Sequence, residues 1–440
     1  MIARATGLVV IIGTMLLIQR FAIPDVLAFR TVALALGFSL IAATLLGALA
    51  ERVGVPRLSG YLLFGLLCGP YLLNLITVTM ARELQVVNGF AIALIALVAG
   101  LELNITRLRP QFKALLVVGC LTIFGVLAVL VALLWLAWPW LPLPEVGGPF
   151  GRLAAALVAG TLIVSFSPTV SIAVIAESRA RGPLSELVLA IVVLADLLLI
   201  LVFALAMQLA RWATGGEAAD VNLLGHLSWE IAGSLAFGAI AGAVFAFYLR
   251  LVGKELTLTL LGLCLVLATA SPTLELELVL VALAAGLVVA NVAPPAGDRL
   301  KNAVERGALP VLIVFFAAAG ASLELAALAV LGWTALAVAV VRLILVRATA
   351  MAAVRTAGLP DFPARLLWMG LISQAGITLG MAAIVASEFP AWGAALQTLV
   401  VALTGLHVLA GPILFRAALA RAGEIGALDE PALAEAEGLS

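Results

Sequence analysis

Charge is scarce in this sequence. Of its 440 residues only 11% are Asp, Glu, Lys or Arg, against about 25% in an ordinary soluble domain, while 65% are hydrophobic. No water-soluble globular domain needs that much apolar surface. The 24 cations are balanced by 24 anions. Without a basic excess there is little to hold nucleic acid phosphates, so no nucleic acid partner is expected. Cysteine is rare as well: Cys68, Cys120 and Cys264 stand far apart inside apolar runs and match no CxxC spacing. That excludes a disulfide framework or a zinc site and leaves them as small buried apolar residues. The only two histidines, His226 and His407, have no partner at metal-ligand spacing and are assigned to structure. No nucleophile, base and orienting group gather in any loop, so the chain is not expected to be an enzyme, to carry a cofactor or to hold a resident metal.

What the sequence has in abundance is long apolar runs. A helix needs about 20 such residues to cross roughly 30 Å of hydrocarbon. Runs of that kind lie near 5–23, 28–50, 58–76, 84–103, 113–138, 152–177 and 183–211, and again near 226–250, 256–270, 275–293, 305–322, 325–350, 364–387 and 393–416. The fold class is therefore an all-α polytopic membrane protein with about 14 transmembrane helices, its lipid bilayer being its first partner. The run from Thr6 to Ile18 is kept as a helix rather than a signal peptide, because Arg20 and Phe21 stand where a small-residue cleavage site belongs. Alternation of Lys and Arg tests this count, since cytoplasmic loops carry the excess. With the N-terminus inside, 18 of the 24 cations fall on the cytoplasmic side, 5 on the other, and Arg342 alone within a span. This predicts both termini in the cytoplasm, in a bacterial inner membrane. The remaining stretch, 417–440, reads as a partly disordered acidic tail with Glu424, Asp429, Glu430, Glu435 and Glu437. It is too short for a nucleotide-binding domain, whose first motif alone takes about 30 residues.

Two short echoes suggest an internal repeat. Leu97–Leu103 reads LVAGLEL and Ala317–Leu325 reads AAAGASLEL, seven spans apart. An odd offset puts the two units into the membrane from opposite sides, the inverted repeat of secondary transporters. On this scheme repeat one covers about 28–211, repeat two about 256–416, a linker helix at 226–250 joins them, and 1–27 is an additional helix. Matched polar interruptions support the pairing. Ser165–Phe166–Ser167–Pro168–Thr169 breaks one span near its centre, where Pro removes a backbone donor. Ser373–Gln374–Ala375–Gly376 interrupts the partner span. The alternatives are a healed Pro kink plus a packing Gly, or two discontinuous helices meeting at the midplane, which is where substrate sites are built.

Few ionisable residues remain inside the spans. Asp196 sits near the centre of 183–211 with apolar neighbours on both sides. A carboxylate at that depth costs several kcal/mol unless protonated, paired or hydrated, which makes it a functional candidate; the other reading is a carboxyl hydrogen-bonded between helices. It is a hard oxygen ligand able to take either a proton or a small monovalent cation. Backbone carbonyls freed at Pro168, with the hydroxyls of Ser165, Ser167 and Thr169, are candidates for the rest of an oxygen shell. Arg342 either snorkels to the cytoplasmic surface or serves as a fixed countercharge for Asp196 or for the helix ends at the breaks. Glu177, beside Arg179 and Arg181, is a possible accessory, paired there or part of an entry funnel. Glu102 and Glu324 read first as interface or capping residues, with Glu102 a further possible accessory. Asn291 reads as a cap, and Gly60, Gly65 and Gly69 as close helix packing.

Several stretches resemble one family. Val55–Pro70, VPRLSGYLLFGLLCGP, is similar to the third-helix signature of the monovalent cation:proton antiporter superfamily, the sodium/hydrogen exchanger domain. Ala99–Asn104 (AGLELN) and Phe315–Leu325 look like two further motifs. Ser167–Asp196 is similar to the family's broken helix followed by the helix with its essential Asp, and Ser373–Ala382 (SQAGITLGMA) to its second broken helix. The resemblance spans about 30–416. It implies a 13-helix antiporter core, here with one extra N-terminal helix, in which two crossing broken helices move against a dimerisation domain, so a homodimer is expected. Electrogenic members carry a pair of Asp at the site and many electroneutral ones Asn–Asp, whereas this chain has Ala195–Asp196; the matching late helix, commonly Lys-bearing in the electrogenic group, carries Arg342. Both departures remove a second proton carrier. The expected function is exchange of a monovalent cation, Na+ foremost, for protons, with Asp196 as the shared site that holds either the proton or a transient Na+ or K+. Potassium/proton exchange is the alternative within the class. A cation channel or uniporter and a non-transporting membrane scaffold are the alternatives outside it.

Overall fold

A computed structural model describes residues 28–80, 86–102, 112–214, 225, 228–251, 256–292, 310–323, 325–359, 361–374 and 376–426. In chain order the helices are α1 (Ala28–Arg52), α2 (Arg57–Cys68), α3 (Val86–Glu102), α4 (Phe112–Ala137), α5 (Gly148–Val164), α6 (Pro168–Ser178) and α7 (Pro183–Ala213). A π-turn at Trp229–Gly233 leads into α8 (Ser234–Leu251), followed by α9 (Leu256–Thr273), α10 (Leu278–Val292) and α11 (Pro310–Ala321). Then come α12 (Leu325–Thr356), two single turns at Asp361–Ala364 and Leu367–Gly370, α13 (Gly376–Glu388) and α14 (Gly393–Ala422). No strand occurs among the described residues. Seven helical stretches among them are long and apolar enough to cross a bilayer, and shorter apolar helices accompany these. The expected helix at 5–23 lies outside the described residues.

The helices sort into two compact units. One holds α1–α3 and α8–α11, the other α4–α7 and α12–α14. In the first, α1 lies on α2, and α10 is wedged between α3 and α8. Its helices touch backbone to backbone. A Cβ on Gly65 of α2 would fall 2.0 Å from the Ala317 carbonyl of α11, and one on Gly320 would fall 2.1 Å from the Leu62 carbonyl. The same reciprocal contact joins α3 and α10, where a Cβ on Gly100 would fall 2.1 Å from the Leu283 carbonyl and one on Gly286 would fall 2.1 Å from the Leu97 carbonyl. The two contacts exchange with each other when α2 is matched to α10 and α3 to α11, the relation an inverted repeat produces. Gly65, read from sequence as a packing residue, is one of these points. Asn291, at the end of α10, donates to the Leu287 carbonyl at 2.8 Å.

In the second unit α12 packs on α4 and α14, α14 on α13, and α7 on α5, α4 and α6. Cys68 and Cys264 are buried, Cys120 is half-buried, and all three are free thiols.

Several helix ends depart from the sequence reading. The run 58–76 stays helical only to Cys68, because Gly69 is extended and Pro70 follows. The chain then folds back, with the Ile76 amide on the Cys68 carbonyl at 2.7 Å and Asn74 at a positive φ of 50°. Helix α12 continues to Thr356, beyond the expected end at 350. Likewise α14 continues through Ala417–Ala422, since Ala and Arg are strong helix formers and Arg421 suits the negative end of the dipole. It stops at Gly423, whose φ of 73° lets its amide turn back to the Ala420 and Leu419 carbonyls.

Candidate functional site

The second unit contains both polar interruptions. Helix α5 stops at Val164, and Ser165–Ser167 are extended because Pro168 has no amide proton to continue the ladder. Pro168 instead occupies the first position of α6, which suits its fixed φ, and Ser167 caps that helix by accepting from the Val170 amide at 3.2 Å. The second interruption is Leu371–Gln374, between the turn at Leu367–Gly370 and α13. The two breaks cross and pair: the Ser167 amide donates to the Ser373 carbonyl at 2.9 Å. Gly411 of α14 makes room for the crossing, since a Cβ there would lie 2.1 Å from the Ser373 hydroxyl.

Broken helices leave carbonyls without partners at the C-terminal end of each first half, and these ends carry partial negative charge. Arg342, midway along α12 and 0% exposed, gathers both sets. Its guanidinium donates to the Ser165 carbonyl at 2.8 Å and the Val164 carbonyl at 3.5 Å on one side. On the other it reaches the Ile372 carbonyl at 2.8 Å and the Leu371 carbonyl at 3.4 Å. The plane lies over the Phe166 ring, 5.6 Å from its centroid, a cation–π contact in a desolvated place. Snorkelling is thereby ruled out: the fork is spent on the helix ends at the breaks. Gln374 completes the arrangement. Its amide nitrogen donates to the Ile163 and Leu162 carbonyls at 2.8 and 3.2 Å, and its oxygen lies 2.8 Å from His407 Nδ1. Because that oxygen can only accept, Nδ1 carries the proton.

Each carbonyl from Leu162 to Ser165 therefore accepts a hydrogen bond from Gln374 or Arg342. Ser165 offers its hydroxyl, which receives the Thr378 hydroxyl at 2.9 Å. Ser167 is engaged as a helix cap, and Thr169 is buried in the first turn of α6. Ser171 ties α6 to the second break through the Gly370 carbonyl at 3.3 Å.

Asp196 is buried, 6% exposed, near the middle of the 31-residue α7, whose packing partners include α5 and α6. The carboxyl bearer thus lies against both halves of the first broken helix. Glu177 is half-buried in the last turn of α6. Glu102 ends α3, in the other unit, and its side chain lies outside the described residues, as do Glu324 and His226. Pro168, Ser373 and Gln374 are buried at the crossing, and Gly376 opens α13. Sequence reasoning missed Thr378 and set His407 aside. Thr378 lies two residues beyond the interruption that drew attention. Nothing in the sequence links His407 to Gln374, 33 residues away.

Residues 39–420 match the family described as sodium/hydrogen exchanger, transmembrane. The chain belongs to the sodium/hydrogen exchanger family. Solved structures with the same fold include the sodium/proton antiporter MjNhaP1 from Methanocaldococcus jannaschii at pH 8, with a TM-score of 0.65 and 16% identity over 91% of this chain and 98% of that one. An electron-microscopy map of the same antiporter aligns at a TM-score of 0.69 and 18% identity, over 88% and 97% of the two chains. No curated protein matches the sequence. Membership in the exchanger family makes this a multi-pass cation/proton transporter rather than an enzyme.

Proposed function

We propose that this exchanger moves one Na+ against one H+, with Asp196 as the single group that each binds in turn. The observation that carries the reading is a buried carboxyl on α7, packed against a broken helix whose dipole ends are already neutralised by a permanently charged arginine. On this reading Asp196 is the carboxyl whose charge balances the transported ion. The buried hydroxyls of Thr169 and Ser165, on the broken helix that α7 packs against, are the proposed sources of neutral oxygen for the ion. Protonated Asp196 and cation-loaded Asp196 carry the same net charge, and Arg342, which does not deprotonate in proteins, adds a constant to both. One proton per cation and an electroneutral cycle follow. Alternation of access by rigid movement of the α4–α7, α12–α14 unit, a homodimer, and cytoplasmic termini complete the proposal; the 18-to-5 distribution of Lys and Arg supports the last.

The test is purified protein in proteoliposomes with a trapped pH-sensitive dye, challenged in turn with sodium, potassium and lithium gradients. Sodium-driven proton flux is expected. Flux driven by potassium alone would change the ion, and flux driven by none of the three would remove the exchange reading. Asp196→Asn keeps the shape and removes the exchangeable proton, so it abolishes the flux in a folded, inserted protein. Retained exchange in this variant would move the site elsewhere.

A further inference from the structure

The stretch after α14, read from sequence as part of a loose acidic tail, contains a buried carboxylate. Glu424 is 4% exposed. It sits on the start of α7, the helix of Asp196. That helix lacks a cap of its own: Gly182, before it, has no side chain, and Pro183 at its first position has no amide proton. The next two amides, of Leu184 and Ser185, are left without intrahelical partners. Glu424 takes both, with Oε1 accepting from Leu184 at 2.7 Å and Oε2 from Ser185 at 2.9 Å, while the Ser185 hydroxyl also donates to Oε2. The negative carboxylate meets the positive end of the α7 dipole. The fit is close, since a Cβ on Gly182 would lie 2.4–2.6 Å from the Glu424 carboxyl and its Cγ.

The backbone around Glu424 holds the other end of the same connection. The Gly426 amide donates to the Ser178 carbonyl, in the last residue of α6, at 3.1 Å, and the Arg181 amide donates to the Glu424 carbonyl at 3.1 Å. The chain that joins α6 to α7 is thus stitched at Ser178, Arg181, Leu184 and Ser185 to one short segment that follows α14. These two helices carry two residues of the proposed ion site: Thr169 in the first turn of α6 and Asp196 on α7. Their relative slide and tilt set the spacing between hydroxyl and carboxyl.

We infer that Glu424 is a positioning residue of the ion site, holding α6 and α7 in the register that sets Thr169 relative to Asp196. The inference rests on the reading of Asp196 as that site. Loosening the clamp should weaken cation binding more than it slows the moving unit, because site geometry depends on the connection while the packing of the rest of the unit does not. Glu424→Gln keeps one acceptor and loses the charge; Glu424→Ala loses both acceptors.

Wild type, E424Q and E424A are compared in proteoliposomes by initial proton flux against sodium concentration, alongside deuterium exchange of the 178–190 amides in detergent. The half-saturating sodium concentration is expected to rise about twofold in E424Q and about fivefold in E424A, the size typical of losing a helix cap. The maximal rate should stay within a factor of about two, and amide exchange at 184 and 185 should quicken. If E424A does not fold, E424Q carries the comparison alone. Unmoved half-saturation in the folded variants overturns the inference, as does a fall in maximal rate with half-saturation unchanged, which is the mark of lost folded protein. A wild type without cation-driven flux sinks the exchange reading first and this one with it.

Discussion

At the residue scale the chemistry divides between two side chains that the sequence presents as a possible pair. Asp196 is the group able to lose a proton, whereas Arg342 is committed to four backbone carbonyls. The division predicts different failures. Removal of Arg342 strands buried acceptors at about 1–3 kcal/mol each, so Arg342→Ala is expected to lower the thermal midpoint of the purified protein and abolish transport together. Arg342→Lys keeps the charge, but an ammonium cannot span both breaks as the planar fork does. It should retain much of the stability lost in the Ala variant, with transport below one tenth of wild type. Equal thermal midpoints for wild type and Arg342→Ala in a detergent melt would mean that the carbonyls find other donors.

At the element scale the broken helices and the glycine contacts solve opposite problems. In the second unit backbone polarity is exposed inside the protein and is satisfied by side chains from distant helices, Gln374 and Arg342 above all. In the first unit backbones press together with no side chain between them. Packing of this kind tolerates no added atom, because the neighbour in each contact is a carbonyl rather than a flexible side chain. Gly286→Val or Gly100→Val would drive α3 and α10 apart and is expected to leave little monodisperse protein on gel filtration. Gly262→Ala, where nothing lies within 4 Å of a Cβ, should be silent in the same assay. A well-behaved Gly286→Val protein would contradict the α3–α10 contact.

At the scale of the whole molecule the expected property is indifference to voltage. A charge moved across the membrane contributes about 2.3 kcal/mol per 100 mV, and a one-carboxylate cycle moves none. Sodium-driven exchange in liposomes clamped at different potentials with potassium and valinomycin should therefore run at one rate. A rate that shifts with potential would reveal a second titrating group, with Glu177 on α6 and His407 beside Gln374 as the residues to change next.

The sequence by itself determined the class of protein and the places where helices break, and it singled out the buried carboxyl now proposed as the ion site. Each is a local property: apolar length against bilayer thickness, a proline without an amide proton, a lone Asp amid leucines. It also marked Gly65 as a packing point. The tertiary structure decided partnership. Arg342 was legible as a buried cation, but its choice of helix ends over a snorkelling path depended on α12 passing beside both breaks. Thr378 and His407 look like ordinary helix residues until the crossing brings them to Ser165 and Gln374. Glu424 was legible only as one charge of an acidic tail, because composition after Arg416 reports only polarity, and 240 residues separate the carboxylate from the Leu184 amide it caps. Hydrogen bonds between segments so distant are set by how helices pack, and no spacing along the chain records that.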